Sequence, residues 1–174
     1  MPASWKIACG IPIYKSGPRN DIQIYRPISI TSLICKCQER IISQIILNHL
    51  KANNFLNPNQ HGFVPGKSCV TLLADVLDDW FMSLNMRDIK QVDVVTLDWC
   101  KAFDRVPHAR LVDKLFCVYI RGNLQSWIRS FLTSRFQVVA YKGRLSDLVP
   151  VISGVIQGSV IGPFLFTIFM LDLS

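Results

Sequence analysis

Two stretches of this 174-residue sequence hold residues whose type and spacing could do chemistry. In LDWCKAFDRVPH (97–108), Asp98 closes the apolar run that begins at Val92. A nearly continuous apolar run of that length reads as a strand buried on both faces of a sheet. At its end a carboxylate can be held rigidly at a cleft edge. Removing a carboxylate from water is costly unless it has a partner, and a divalent cation is a natural one. Two Mg²⁺ ions bridged by aspartates are a common device for nucleotidyl transfer, activating a 3′-hydroxyl and stabilising the phosphate under attack. An Asp98 that merely caps the next turn fits the same residues. The second stretch is SGVIQGSVIGP (153–163). Its glycines allow close backbone approach and unusual dihedrals, so that Gln157 beside Gly158 can touch a base or sugar. A Gly-rich helix entry without a ligand fits equally well.

The elements that must position these groups follow from periodicity and punctuation. Residues 5–15 read as a strand, followed by the polar turn SGPRND, and Tyr25–Ile30 as a second extended segment. Leu33, Cys37, Ile41, Ile45 and Leu50 recur at helical spacing, which predicts an amphipathic helix over 33–50 opened by Thr31 or Ser32. Residues 53–66 form a loop rich in Asn, Pro and Gly, and Ser68 caps a helix reaching about Met86. After the strand Val92 to Asp98, Pro107 opens a helix through Ile120 that Gly122 ends. Leu124–Thr133 is the next helix, and a hairpin about Lys142-Gly143 joins 136–141 to 145–151. The last segment, from Gly154, turns into an apolar helix. The fold class is α+β.

Bulk properties narrow the function classes. Half the residues are apolar and 18% are charged, as in a folded globular chain. No window reaches the roughly 18 uncharged apolar residues that a membrane span needs, and the N-terminus lacks signal-peptide architecture; no membrane role is expected. The net charge of +7 suggests a polyanionic partner, nucleic acid first. The six cysteines form no CxxC and read as reduced, buried residues of an intracellular protein. There is no GxxxxGK[ST] and no GxGxxG, so P-loop and Rossmann enzymes are disfavoured.

Taken in order, YRPIS (25–29), NQHGFVPGKSC (59–69), LDWCKAFDRVPH (97–108) and SGVIQGSVIGPFLF (153–166) resemble successive blocks of the reverse transcriptases of non-LTR, jockey-like (LINE-like) retrotransposons. The resemblance implies a right-hand polymerase fold, with fingers over about 1–90 and part of the palm over about 91–174. It implies that Asp98 is the first metal-binding catalytic aspartate of a two-Mg²⁺ site. Lys101 and Ala102 would turn backbone amides toward the incoming triphosphate, and Phe103 would lie under the sugar and exclude a 2′-hydroxyl. Arg26 and Lys36 would neutralise the triphosphate. Gln157 and Gly158 would meet the nucleotide and its pairing base. Gln60, Gly62, Phe63 and Gly66 would meet the template. The implied partners are an RNA template, a DNA primer and deoxynucleoside triphosphates, and the implied location is the nucleus.

The sequence also departs from the pattern. The Ala-Asp-Asp hairpin of the family would lie beyond Ser174, so the two-metal site is expected to be incomplete and the chain alone inactive. Asp172 matches an aspartate that the family carries before that hairpin and is no substitute. Ile156 stands where Pro is usual, Trp99-Cys100 where a small aromatic and Ser are usual, and Met170-Leu171 where Ile-Asn is usual. A non-catalytic nucleic-acid-binding remnant of a mobile element is the alternative reading. Asp104 is expected to pair with Arg105 or Lys101, and His61 and His108 to orient loops.

Overall fold

The computed structural model describes residues 1–173. They gather into two compact units, one made of Met1–Phe55 with Lys101–Ser174, the other of Leu56–Cys100.

The first unit is built on a small sheet. β1 (Ile7–Tyr14) is its centre, antiparallel to β2 (Tyr25–Ile30) in a register running from Cys9 opposite Ile30 to Tyr14 opposite Tyr25. Its other edge runs parallel to β3 (Arg135–Tyr141), with Gly10 opposite Val139. The expected hairpin is present, turning through Lys142 and Gly143 at φ 47° and 75°, both positive as a tight two-residue turn requires. Its return arm is broken into β4 (Arg144–Leu145) and β5 (Val149–Val151), both antiparallel to β3.

Four helices share this unit and pack on one another: α1 (Leu33–Ala52), α3 (His108–Cys117), α4 (Gly122–Leu132) and α5 (Gly162–Met170), α2 being in the other unit. The core is Ile42, Ile46 and Leu50 of α1, Leu111 and Leu115 of α3, Ile128 and Phe131 of α4, and Leu165 and Ile168 of α5. Two helices end in the same way. Asn54 and Tyr119 adopt positive φ, while Phe55 N–H bonds Leu50 O at 2.9 Å and Ile120 N–H bonds Leu115 O at 2.9 Å. This 6→1 bond with a left-handed residue before it is the Schellman stop. The expected helix 107–120 therefore ends at Cys117, and Gly122 opens α4 instead of closing α3.

The face of α1 is a second correction. Leu33, Cys37, Ile41 and Ile45 are exposed, and of the expected stripe only Leu50 is buried. The buried row runs Cys35, Glu39, Ile42, Ile46, Leu50. Both rows have helical spacing; the true one was hidden by a charged residue in its middle, whose compensation lies far away in sequence.

In the second unit α2 (Cys69–Leu84) starts at Ser68 with a reciprocal cap, Thr71 N–H bonding Ser68 Oγ at 3.2 Å and Ser68 N–H bonding Thr71 Oγ1 at 2.8 Å. None of its side chains is buried. Residues 92–98 are not a strand. They pair with none of the five strands, and Val94, Val95 and Leu97 are exposed. An extended run becomes a strand only when a neighbour completes its ladder, and none of the described residues does so. Among the described residues no helix is long and apolar enough to cross a membrane.

The two readings of α1 separate cleanly. Ile46→Ala is expected to destabilise the protein by about 2–4 kcal/mol and Ile45→Ala by under about 1 kcal/mol in urea unfolding. Equal losses would put the buried row on the wrong face.

Candidate functional site

Three segments far apart in sequence meet in the first unit: β2, the turn at 101–106, and the glycine-rich loop at 153–162. The turn begins with Lys101 at φ 53°, a left-handed conformation uncommon for a non-glycine residue. The Lys101 carbonyl accepts from Asp104 N–H at 3.0 Å and Arg105 N–H at 3.2 Å. Against this turn the loop is fixed by Gly154 N–H to Val106 O and Val155 N–H to Phe103 O, both 2.8 Å. His108 Nε2 reaches Gly154 O at 2.8 Å and so must be the protonated nitrogen. Ser153 Oγ bonds Asp104 O at 3.1 Å. On the other side Ser29 N–H of β2 donates to Gln157 O at 2.9 Å.

Glycine is required where these segments touch. A Cβ on Gly154, whose φ is 90°, would stand 2.9 Å from the Phe103 carbonyl oxygen and from Asp104 backbone atoms. One on Gly158, at φ 106°, would stand 2.7 Å from Ser29 O.

The far end of the loop is held from below. Glu39 is fully buried, and its Oε2 accepts Val160 N–H at 2.7 Å and Ile161 N–H at 3.2 Å. Its Oε1 accepts the Cys35 thiol at 3.4 Å. Arg135, also buried, donates to Phe131 O at 3.0 Å and Trp5 O at 3.2 Å. Burial and the neighbouring Glu39 charge push the Cys35 thiol up to about 12, and burial lowers Arg135 from its ordinary value. Ser159 Oγ bonds Ile156 O and Gly162 N–H, both at 2.9 Å. Among the described residues this network takes up the amides of Gly154, Val155 and 159–162, and leaves those of Ile156, Gln157 and Gly158 open.

Two hollows open on one sheet face beside this junction. The larger, about 600 Å³, is lined by Gly10, Tyr25, Pro27, Lys101, Asp104 and Tyr141 among others. The smaller, about 60 Å³, reaches Ser29, Gln137 and the 153–157 loop. Both include Pro27 and Asp104. Asp104 makes no ion pair with Arg105 or Lys101 among the described residues, against expectation; its backbone is committed to the turn, and its carboxylate is exposed.

The other expected site residues are distributed as follows. Lys101 lines the larger hollow, with Ala102 half-buried beside it. The Phe103 ring stacks on Phe166 of α5, centroids 4.7 Å apart. Arg26 is exposed and pairs with Ile13, which by strand alternation puts it on the face opposite Tyr25 and Pro27. Lys36 is half-buried in the first turn of α1. Asp172 pairs with Lys114, which holds its carboxyl below the ordinary range.

In the second unit, Gln60 Nε2 folds back onto Gly62 O at 2.9 Å, Phe63 has φ 60°, and Gly66 has φ 85°. His61 orients this loop as expected: it is buried, with Nδ1 2.9 Å from Thr71 Oγ1 and Nε2 3.1 Å from Asp75 Oδ2. Asp98 is exposed in the irregular segment before Cys100, not at the end of a buried strand. Among the described residues no three His, Cys, Asp or Glu side chains are grouped to hold a metal ion.

Glu39, Ser29, Ser159 and Arg135 are not among the site residues that the sequence singles out. For Glu39 a signal existed: a lone acid four residues from Cys35 and three from Ile42, in a row otherwise apolar.

Comparison with known proteins finds similarity over nearly the whole chain. A family model described as reverse transcriptase (RNA-dependent DNA polymerase) matches residues 13–174. The probable RNA-directed DNA polymerase from transposon BS of Drosophila melanogaster is 33% identical over 99% of this chain and 19% of its own length. The RNA-directed DNA polymerase from mobile element jockey of the same organism is 32% identical with the same coverage. A retrovirus-related Pol polyprotein from type-1 retrotransposable element R2 of Popillia japonica is 28% identical, with 99% of this chain and 24% of its own length covered. The chain thus spans about a fifth of the length of these relatives.

Two outcomes check the junction. Gly158→Ala should destabilise the protein by roughly 1–3 kcal/mol through overpacking against Ser29, read by urea unfolding; a neutral substitution contradicts the contact. In the native protein Cys35 should resist alkylation at pH 8 while exposed Cys37, Cys69, Cys100 and Cys117 react, as counted by mass spectrometry.

Proposed function

The chain belongs to the reverse transcriptase family, alongside the RNA-directed DNA polymerases of non-LTR retrotransposons, and from that premise we propose that it forms the nucleotide-facing part of an RNA-directed DNA polymerase site. One observation carries the reading. Within the first unit, residues 25–29, 101–108 and 153–166 of three sequence blocks converge through backbone hydrogen bonds from Ser29 to Gln157 and from Gly154 and Val155 to Val106 and Phe103. A surface strap has no need of two glycine-dependent contacts; a site in which backbone must lie close to a substrate does.

In this reading the primer 3′-hydroxyl attacks the α-phosphate of a deoxynucleoside triphosphate, forming the new ester as pyrophosphate leaves. Lys101 and the amides of Lys101 and Ala102 face the triphosphate, and Arg26 and Lys36 supply charge as the fingers meet it. Gln157 and the open amides at 156–158 hold the sugar and the pairing base. Phe103, braced by Phe166, limits space beneath the sugar and so selects deoxynucleotides. Gln60, Gly62, Phe63 and Gly66 guide the template, with about 1–90 acting as fingers and the remainder as palm.

Mg²⁺, which the family generally uses, fits one part of the donor set: it takes one or two carboxylates and completes its shell with phosphate and water, and Asp98 offers one exposed carboxylate. Bound there, the ion would activate the attacking hydroxyl and neutralise developing phosphate charge. The proposed substrates are an RNA template, a DNA primer and deoxynucleoside triphosphates, and the proposed setting is the nucleus.

The second reading is a nucleic-acid-binding module without chemistry. It draws on the +7 charge and on the irregular, exposed setting of Asp98. Its mark would be affinity falling linearly in log–log against salt.

Primer extension on an RNA template with Mg²⁺ tests both, using the chain alone and a chimera in which residues 1–174 replace the matched region of the jockey polymerase. The chimera should extend primers, and Asp98→Ala should lower its rate by several orders of magnitude. An active chimera indifferent to Asp98→Ala sinks the catalytic assignment. A chimera that binds hybrid but never extends it favours the second reading.

A further inference from the structure

Glu39 is a full acid buried under the loop that carries Gln157, and its hydrogen bonds account for its position. A buried carboxylate is tolerated only when its lone pairs are met. Here they are met by two successive loop amides and one thiol, with Arg135 buried close enough to feel its charge. The two amides belong to Val160 and Ile161, just ahead of α5. Ile161 is the N-cap residue of that helix and Val160 the residue before it, so neither N–H has a partner within the helix. The helix has no cap of its own at Ile161. Glu39 therefore caps α5 from α1, across more than a hundred residues of sequence. Negative charge at a helix N-terminus is favourable in itself.

The loop is pinned at three stations. Upstream it is fixed to Phe103 and Val106, midway to Ser29, and downstream to Glu39. Gln157 is itself the second station, through its carbonyl, and Gly158 lies between it and the third. Ser159 repeats the downstream hold by closing on Ile156 O and Gly162 N–H. Removing Glu39 would release a charged anchor on that side and leave two amides, one half-buried and one buried, without their acceptor.

Resting on the nucleotide reading above, we propose that Glu39 is a positioning residue that aims the Gln157–Gly158 segment at the nucleotide by capping α5 from beneath. It touches no substrate and acts through the Val160 and Ile161 amides. The requirement is for an acceptor of full side-chain length, and it yields an ordering of variants. Glu39→Gln keeps an oxygen in the place of Oε2 and should hold the loop. Glu39→Asp keeps the charge but withdraws the oxygen by one methylene and should not. Glu39→Ala removes the acceptor. If Glu39 served only to balance Arg135, the order of Gln and Asp would be reversed.

The test uses the full chain in solution, with amide exchange and resonance positions of 156–162 followed by NMR, and with deoxythymidine triphosphate plus Mg²⁺ as the probe. In Glu39→Ala and Glu39→Asp the Val160 and Ile161 amides should exchange roughly tenfold faster or more, and the Gln157 and Gly158 signals should move. Triphosphate affinity should fall by roughly tenfold or more, while Glu39→Gln stays close to wild type in both readouts. Unmoved Gln157 and Gly158 signals in Glu39→Ala, or an Asp variant that outperforms Gln, overturn the proposal. If Glu39→Ala does not fold, the Gln and Asp pair decides alone. A wild-type chain that binds no triphosphate would count against the nucleotide reading, while amide exchange would still decide the role of Glu39.

Discussion

The buried carboxylate of Glu39 is the constraint on which the rest of the first unit depends. Placing an acid at the centre of an apolar helix face would be destabilising by itself, and a single hydrogen bond would not offset it. Two backbone donors, a thiol and a buried guanidinium nearby together make the position tenable. Those groups come from α1, β3 and the 157–162 loop, so satisfying one charge fixes three elements against each other. Arg135 extends the reach, because its guanidinium ties β3 to the end of α4 and to Trp5 ahead of β1. Such a network is worth having only when complete; with one member missing, the remaining charges become liabilities.

From that anchor the loop rises to the sheet. Its glycines sit where backbone meets backbone, and its hydrogen bonds alternate between the 101–106 turn, β2 and α1. Among the described residues three successive amides at 156–158 are left open. A segment rigidly held on both sides and open only in its middle is well suited to present a fixed hydrogen-bonding edge to a ligand, since its ordering entropy is already spent in folding. Ile156, where relatives of this kind usually carry Pro, has a free amide that Pro would lack. The departure therefore adds a donor to the loop and removes the φ restraint that Pro would impose.

Much of this was legible from the residues. The strands at β1 and β2, the Ser68 cap, the Lys142-Gly143 hairpin and the apolar terminal helix all carry local signals: alternation, a capping side chain, a turn dipeptide, continuous hydrophobicity. The errors share one cause. The buried face of α1 was misjudged because Glu39 looks like a solvent-facing residue unless its partners at 160 and 161 are known. The run at 92–98 was read as a strand because its composition fits one, but a strand is a relation between two segments and composition describes only one. Asp104 was assigned an ion pair on sequence proximity, whereas in the structure it is the backbone of that turn, not its side chain, that is engaged. Of the candidate site, the turn at Lys101–Phe103 and the loop with Gln157 and Gly158 stand out in the sequence through their motifs, and the structure brings them together. The groups holding them together were not.

The second unit poses the sharper physical question. Its one helix of 16 residues buries no side chain, while Leu72, Leu73, Leu77 and Phe81 stand exposed along it. A helix of that length is marginal in water without tertiary packing, and a unit this small buries too little apolar surface to be stable alone. Its order rests on local devices: the Ser68–Thr71 cap and the His61 bridge to Thr71 and Asp75. These fix the loop at 60–66 to the start of α2 but do nothing for residues 92–98. The carboxylate with the strongest claim to catalysis thus lies on the segment with the least support, and the groups proposed to face the nucleotide lie on the segment with the most. A two-metal reaction tolerates little uncertainty in its ligands, since misplacing a reacting group by about 1 Å can lower a rate roughly a hundredfold. Competence for chemistry should therefore turn on whether apolar cover and a ladder partner reach Val92–Leu97, because these would carry Asp98 to a fixed place at a sheet edge.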